Sequence, residues 1–123
     1  MRALTGGAGT WATKSPMPTA RAILGADTIN GIVYAVGGHL GGCSFTSALE
    51  AYNPATDTWT TKAPMLTARS YPAVGVINGI LYAAGGDLGC DPNTNAVEAY
   101  NPASNTWTAK ADRKSTRLNS SHG

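Results

Sequence analysis

Asn30-Gly31-Ile32-Val33-Tyr34-Ala35-Val36-Gly37-Gly38 returns, 48 residues later, as Asn78-Gly79-Ile80-Leu81-Tyr82-Ala83-Ala84-Gly85-Gly86. Glu50-Ala51-Tyr52-Asn53-Pro54-Ala55 returns as Glu98-Ala99-Tyr100-Asn101-Pro102-Ala103, and Thr-Trp recurs at Trp11, Trp59 and Trp107. Laying 11–58 over 59–106 without a gap gives 27 identities in 48 positions. A fixed period of this length means a stack of like units, each too small to bury its own apolar face.

One unit reads as four short antiparallel strands. Ala20–Ile29 is small and apolar and ends at Asn30-Gly31. Asn-Gly between two apolar runs is the strongest short hairpin signal, because both central residues of a type I′ turn need positive φ. Ile32–Val36 is the second strand and stops at Gly37-Gly38; His39–Ser47, rich in Gly and Ser, reads as loop. Ala48–Tyr52 is the third strand, broken by the turn cluster Asn53-Pro54-Ala55-Thr56-Asp57. Thr58–Thr61 is the fourth, ended by Pro64, and the second unit repeats the set over Ala68–Lys110. The first strand carries small residues (Ala22, Gly25, Ala26; Ala73, Gly75), which suits a strand crowded toward a central axis. Pro72 falls within that strand in the second unit, where an edge position tolerates it.

Composition narrows the function classes. Fifteen glycines and 13% charged residues suit strands and tight turns. No apolar run approaches the ~18 residues of a membrane-spanning helix, and residues 1–10 lack the pattern of a signal peptide. The net charge of +2 arises in the last twelve residues; the repeats themselves are balanced and carry no basic footprint for nucleic acid or anionic membrane.

A Gly-Gly pair after an apolar strand, a Tyr on the next strand and a Trp on the fourth together resemble the kelch repeat. The continuation Lys-x-Pro-Met and Arg (Lys14 to Arg21, Lys62 to Arg69) is similar to that of bacterial kelch repeats. The resemblance spans 10–111 and implies an all-β fold, a partial kelch β-propeller with one four-stranded blade per repeat. Its divisions are an incomplete leading blade over 1–19 with a fourth strand around Trp11, blades over 20–67 and 68–111, and a non-repeat tail over 112–123. Propellers close with about four to eight blades, so two blades do not close alone and self-association of the chain is expected. Gly37, Gly38, Tyr52, Trp59, Gly85, Gly86, Tyr100 and Trp107 are read as structural repeat positions. After Ala111 the repeat demands Pro-Met-x-Thr-Ala-Arg, and the sequence breaks off into Asp112-Arg113-Lys114. The tail is either a basic disordered segment or non-native residues resembling sequencing-adapter read-through. The break in mid-motif favours the second.

Chemistry is sparse. His39, Cys43, Asp87, Cys90, Asp91 and His122 are the only metal-ligand candidates, without a Cys-x-x-Cys or a His pair at ligand spacing. No metal, cofactor or catalytic residue is assigned. The diglycines end strands rather than open helices, so they are not phosphate loops. Cys43 and Cys90 fall in corresponding loops of neighbouring units; a disulfide between them is open if the protein is exported, but two free thiols or separate loop roles are the favoured expectation, because nothing in the sequence pins those loops together.

The loops joining strands two and three, and the connectors between units, should emerge on one side. Arg21 and Arg69 open the inner strand there. They are candidate ligand-binding residues with His39 and Asp87; pairing of each Arg with a carboxylate or carbonyl between blades is the equal alternative. The function expected is non-catalytic recognition of a protein or carbohydrate by this loop face. The runner-up is a fragment of a kelch enzyme, galactose-oxidase-like or sugar-acid-epimerase-like, with its catalytic residues outside this chain. The sequence gives no localisation.

Overall fold

The computed structural model describes residues 11–88 and 94–110, and every regular element in them is a strand. Strands β1 (Gly25–Ile29), β2 (Ile32–Val36), β5 (Leu49–Asn53) and β6 (Thr58–Lys62) form one antiparallel sheet in the order β1-β2-β5-β6. Strands β7 (Ala73–Ile77), β8 (Ile80–Ala84), β9 (Val97–Asn101) and β10 (Thr106–Lys110) form the second in the same order. The register repeats as well: Tyr34 faces Ala51 as Tyr82 faces Ala99, and Tyr52 faces Trp59 as Tyr100 faces Trp107. The predicted strands are therefore present as two blades of an unclosed propeller. Expectations that fall wholly on 1–10, on 89–93 or on 111–123, including the tail, lie outside the described residues. The strand expected around Trp11 is not formed over the described residues 11–20, and Trp11 is 98% exposed.

Asn30, Gly31, Asn78 and Gly79 all have positive φ, as the type I′ reading requires. The Asn-Pro turns close on their own side chains. Asn53 Oδ1 accepts from Ala55 N–H and Asn101 Oδ1 from Ala103 N–H, both at 2.9 Å.

Three local expectations need correction. The inner strand begins at Gly25, not Ala20, and at Ala73, so Pro72 precedes its strand instead of lying within it. The residues before it belong to the connector, held to the blade by the isolated bridges Ala22–His39 and Ser70–Asp87. The loop after β2 is partly regular: β3 (His39–Gly41) and β4 (Ser44–Phe45) make a small hairpin, with the His39 and Phe45 rings edge-to-face at 5.0 Å. That hairpin supplies an anchoring that the sequence does not reveal. Cys43 in its turn is disulfide-bonded, against the expectation of free thiols, and Cys90, the only other cysteine, lies outside the described residues.

The core lies between the sheets. Alternation along the strands sends Ile29, Tyr34, Val36, Leu49 and Ala51 of the first sheet against Leu81, Ala83, Tyr100 and Trp107 of the second, with Met65 of the connector between them. The Tyr34 and Tyr100 rings meet at 5.9 Å. Burial there holds both phenols protonated beyond the ordinary range, Tyr100 to a pKa of about 12. Of the repeated aromatics, Tyr34, Tyr100 and Trp107 pack in this layer, whereas Tyr52, Trp59 and Tyr82 are half-buried and Trp11 is exposed.

Candidate functional site: the connector latch and the loop rim

Each connector is latched to the blade that follows it by a set of bonds that repeats with the sequence. Ser15 N–H donates to Asp57 Oδ1, and Ala63 N–H donates to Asn105 Oδ1, both at 2.9 Å. Trp59 Nε1–H reaches Ser15 O at 2.7 Å, and Trp107 Nε1–H reaches Ala63 O at 2.8 Å. The Tyr52 hydroxyl donates to Asp57 and the Tyr100 hydroxyl to Asn105, at 2.7 Å each. Asp57 and Asn105 sit at positive φ in the third turn, a conformation that Asn and Asp tolerate. The Ser15 N–H and the Tyr52 hydroxyl hold the Asp57 carboxyl below its usual pKa, and the same bond pushes the Tyr52 phenol up.

Arg21 and Arg69 complete the latch. Arg21 donates to the carbonyls of Gly37 (2.6 Å), Ala48 (3.0 Å) and Ala35 (3.1 Å) and to Glu50 Oε1 (3.0 Å). Arg69 repeats this on Gly85 (3.0 Å), Ala96 (2.7 Å), Ala83 (3.2 Å) and Glu98 Oε2 (3.0 Å). Both side chains are fully buried. Burial draws both guanidinium pKa values down, and the paired Glu opposes it. Thr19 Oγ1 donates to Glu50, and Leu66 N–H donates to Glu98. The guanidiniums are directed into the blade, with only Nε of each left unpaired among the described residues. This geometry does not support their candidate role as receptors for an acidic ligand. The partners are the carboxylate and carbonyls of the alternative, but its placement between blades is corrected: each Arg bonds within the one blade that follows its connector.

The diglycines make this enclosure possible. Gly37 and Gly86 have positive φ, and a Cβ on either would run into backbone carbonyl oxygen, of Arg69 and Ser70 respectively. Gly38 N–H donates to Arg69 O at 2.9 Å, so the first blade's Gly-Gly seats the connector to the second.

Loops and connectors do gather at one end. Met65 N–H donates to Ser47 O and Arg69 N–H to Thr46 O, so the connector lies along the loop of the first blade. His39 and Asp87 occupy equivalent half-buried positions there, opposite Ala22 and Ser70. His39 Nε2–H donates to Gly42 O at 2.9 Å, within its own hairpin.

Two residues that the repeat pattern does not single out complete the rim. Ile23 (φ 54°) and Tyr71 (φ 59°) stand one repeat apart with left-handed backbones, joined by Tyr71 N–H to Ile23 O at 2.8 Å. Such a φ is uncommon for any non-glycine residue and an outlier for β-branched Ile. Tyr71 is 72% exposed, and Leu40, Leu66 and Ile23 are exposed at the same end. The available signal is a large side chain at a repeat position otherwise surrounded by small ones.

Among the described residues no group of His, Cys, Asp and Glu is arranged to hold a metal ion, and no helix could cross a membrane. No curated protein matches the chain. The family model described as the kelch motif matches twice, over 21–66 and 68–113, one match to each blade. With two four-stranded sheets in the register that the repeat requires, the chain belongs to the kelch-repeat family.

Proposed function

We propose that the chain is a non-catalytic recognition scaffold whose loop rim, centred on Ile23, His39, Tyr71 and Asp87, receives a protein partner. Kelch repeats build propeller scaffolds commonly used for protein binding, and the fold supplies rigid support. Below the rim, Arg21 and Arg69 fasten each connector by four hydrogen bonds. One observation carries the reading. Of the six exposed large hydrophobic residues among those described, Ile23, Leu40, Leu66 and Tyr71 belong to the connectors and the β3–β4 hairpin. A rim of exposed apolar groups with an aromatic and flanking polar side chains fits the composition of protein interfaces.

A photo-crosslinking residue placed at Tyr71, and separately at Thr56 in the turn after β5, tests this in cells producing the chain. A discrete protein adduct from position 71 alone, lost on adding Asp87→Lys, supports the rim. Equal labelling from both positions overturns it. Binding to immobilised glycans abolished by Tyr71→Ala, with no protein adduct, would replace the protein partner by a carbohydrate.

A further inference from the structure

We infer that this chain docks a second copy of itself head to tail, the outer face of its second sheet seating on the outer face of the first sheet of the next copy. The inference extends the blade–blade interface already in the molecule. Internally, the face carrying Ile29 and Tyr34 mates with the face carrying Leu81, Tyr100 and Trp107. Both face types occur again at the two ends, where no described sheet covers them. Ile29 is 7% exposed, whereas Ile77, its equivalent one period on, is 64% exposed. Tyr34 is buried and its equivalent Tyr82 is half-buried. At the other end, Tyr100 and Trp107 are buried while Tyr52 and Trp59 are only partly so.

The receiving end needs nothing further from a neighbour. Its connector is already latched, with Ser15 on Asp57, Trp59 on Ser15, and Thr19 and Arg21 on Glu50. That is the arrangement in which the second blade presents itself to the first. Met65 is buried in the internal interface, and Met17, one period earlier, is half-buried and waits for the same cover. The contact is heterologous, because the two surfaces that meet are different, so repeated docking produces a ring or an open filament according to the angle. Each added copy also sets another Ile23–His39 pair beside Tyr71 and Asp87, extending the rim.

Complementation in sedimentation velocity tests the mode. Ala26→Asp charges the receiving face at the equivalent of Val74, and Ile77→Asp charges the donating face. The unmodified chain should associate with rising concentration, and each variant alone should stay monomeric. An equimolar mixture should form a heterodimer and stop there, since one good donor and one good receiver remain. The exposed positions Thr28→Glu and Thr108→Glu repeat the test on the same two faces without touching the core, and near-ultraviolet circular dichroism reports that the variants are folded. Monomer at every concentration would overturn the proposal and leave the face to a further blade in cis. So would association of either variant alone, or a folded mixture that fails to pair.

Discussion

At the residue scale, Arg69 shows what spacing can and cannot reveal. Its recurrence 48 residues after Arg21 is legible, because repetition marks a position that every blade needs. Its direction is not. Whether a guanidinium points out to a ligand or in to carbonyls depends on Gly85, Ala96 and Ala83, brought together only when β8 and β9 pair. Arg69→Lys exchanges a planar fork for a point charge and loses several of four bonds. Stability should fall by about 1–3 kcal/mol, the range for charged hydrogen bonds, while partner affinity per folded molecule is unchanged. A denaturant titration read beside a binding isotherm separates the two effects. The latch residues Asp57 and Asn105 give a second contrast. The Asp57 carboxyl is held below its ordinary value by Ser15 N–H and the Tyr52 hydroxyl. A depressed folded-state pKa means stabilisation that is present above the unfolded value of 3.8 and lost as pH falls through the folded value. The first blade's latch should therefore loosen in acid. Asp57→Asn, which copies position 105, should abolish that loosening at little cost near neutrality. Trp59 fluorescence during an acid titration reports it, since its indole is bonded into the same latch.

At the element scale, strands are legible almost to the residue where turn chemistry bounds them. Ile32–Val36 lies between Asn-Gly and Gly-Gly, and the observed strand has the same two ends. The inner strand is five residues shorter than its composition suggests, because Ala20–Leu24 is as small and apolar as a strand. Those residues follow the connector instead, whose path is set by Arg21 and the Ala22–His39 bridge. The β3–β4 hairpin is illegible for the opposite reason: its glycines hide a strand pattern only two or three residues long. Two glycines with positive φ should behave differently for reasons visible only in three dimensions. Gly31 has open space where a Cβ would stand, so Gly31→Ala incurs the left-handed backbone penalty alone, about 1–2 kcal/mol. Gly37→Ala meets the Arg69 carbonyl as well and should cost clearly more, with loss of the connector seat. Paired thermal melts of the two variants check the order, and equal losses would mean the connector yields without resistance.

For the whole molecule, the decisive fact is that neither sheet owns the core. Leu81 and Tyr100 of one sheet are covered by Tyr34, Val36 and Leu49 of the other, so each blade is a half-interface and becomes stable only against its neighbour. The period announces this dependence, although the faces in contact emerge only once the register fixes which alternate residues look forward. Cooperativity should follow from it. Leu81→Ala removes a fully buried side chain from the shared layer and should cost about 2–5 kcal/mol. The loss should not stay within the second sheet. Amide exchange should quicken in β1, β2 and β5 along with β7, β8 and β9, because opening one sheet uncovers the other. Exchange accelerated only in β7–β10, with β1, β2 and β5 as protected as before, would mean that the sheets are separate folding units, and the inter-blade layer would then be a contact between finished blades instead of the core of both.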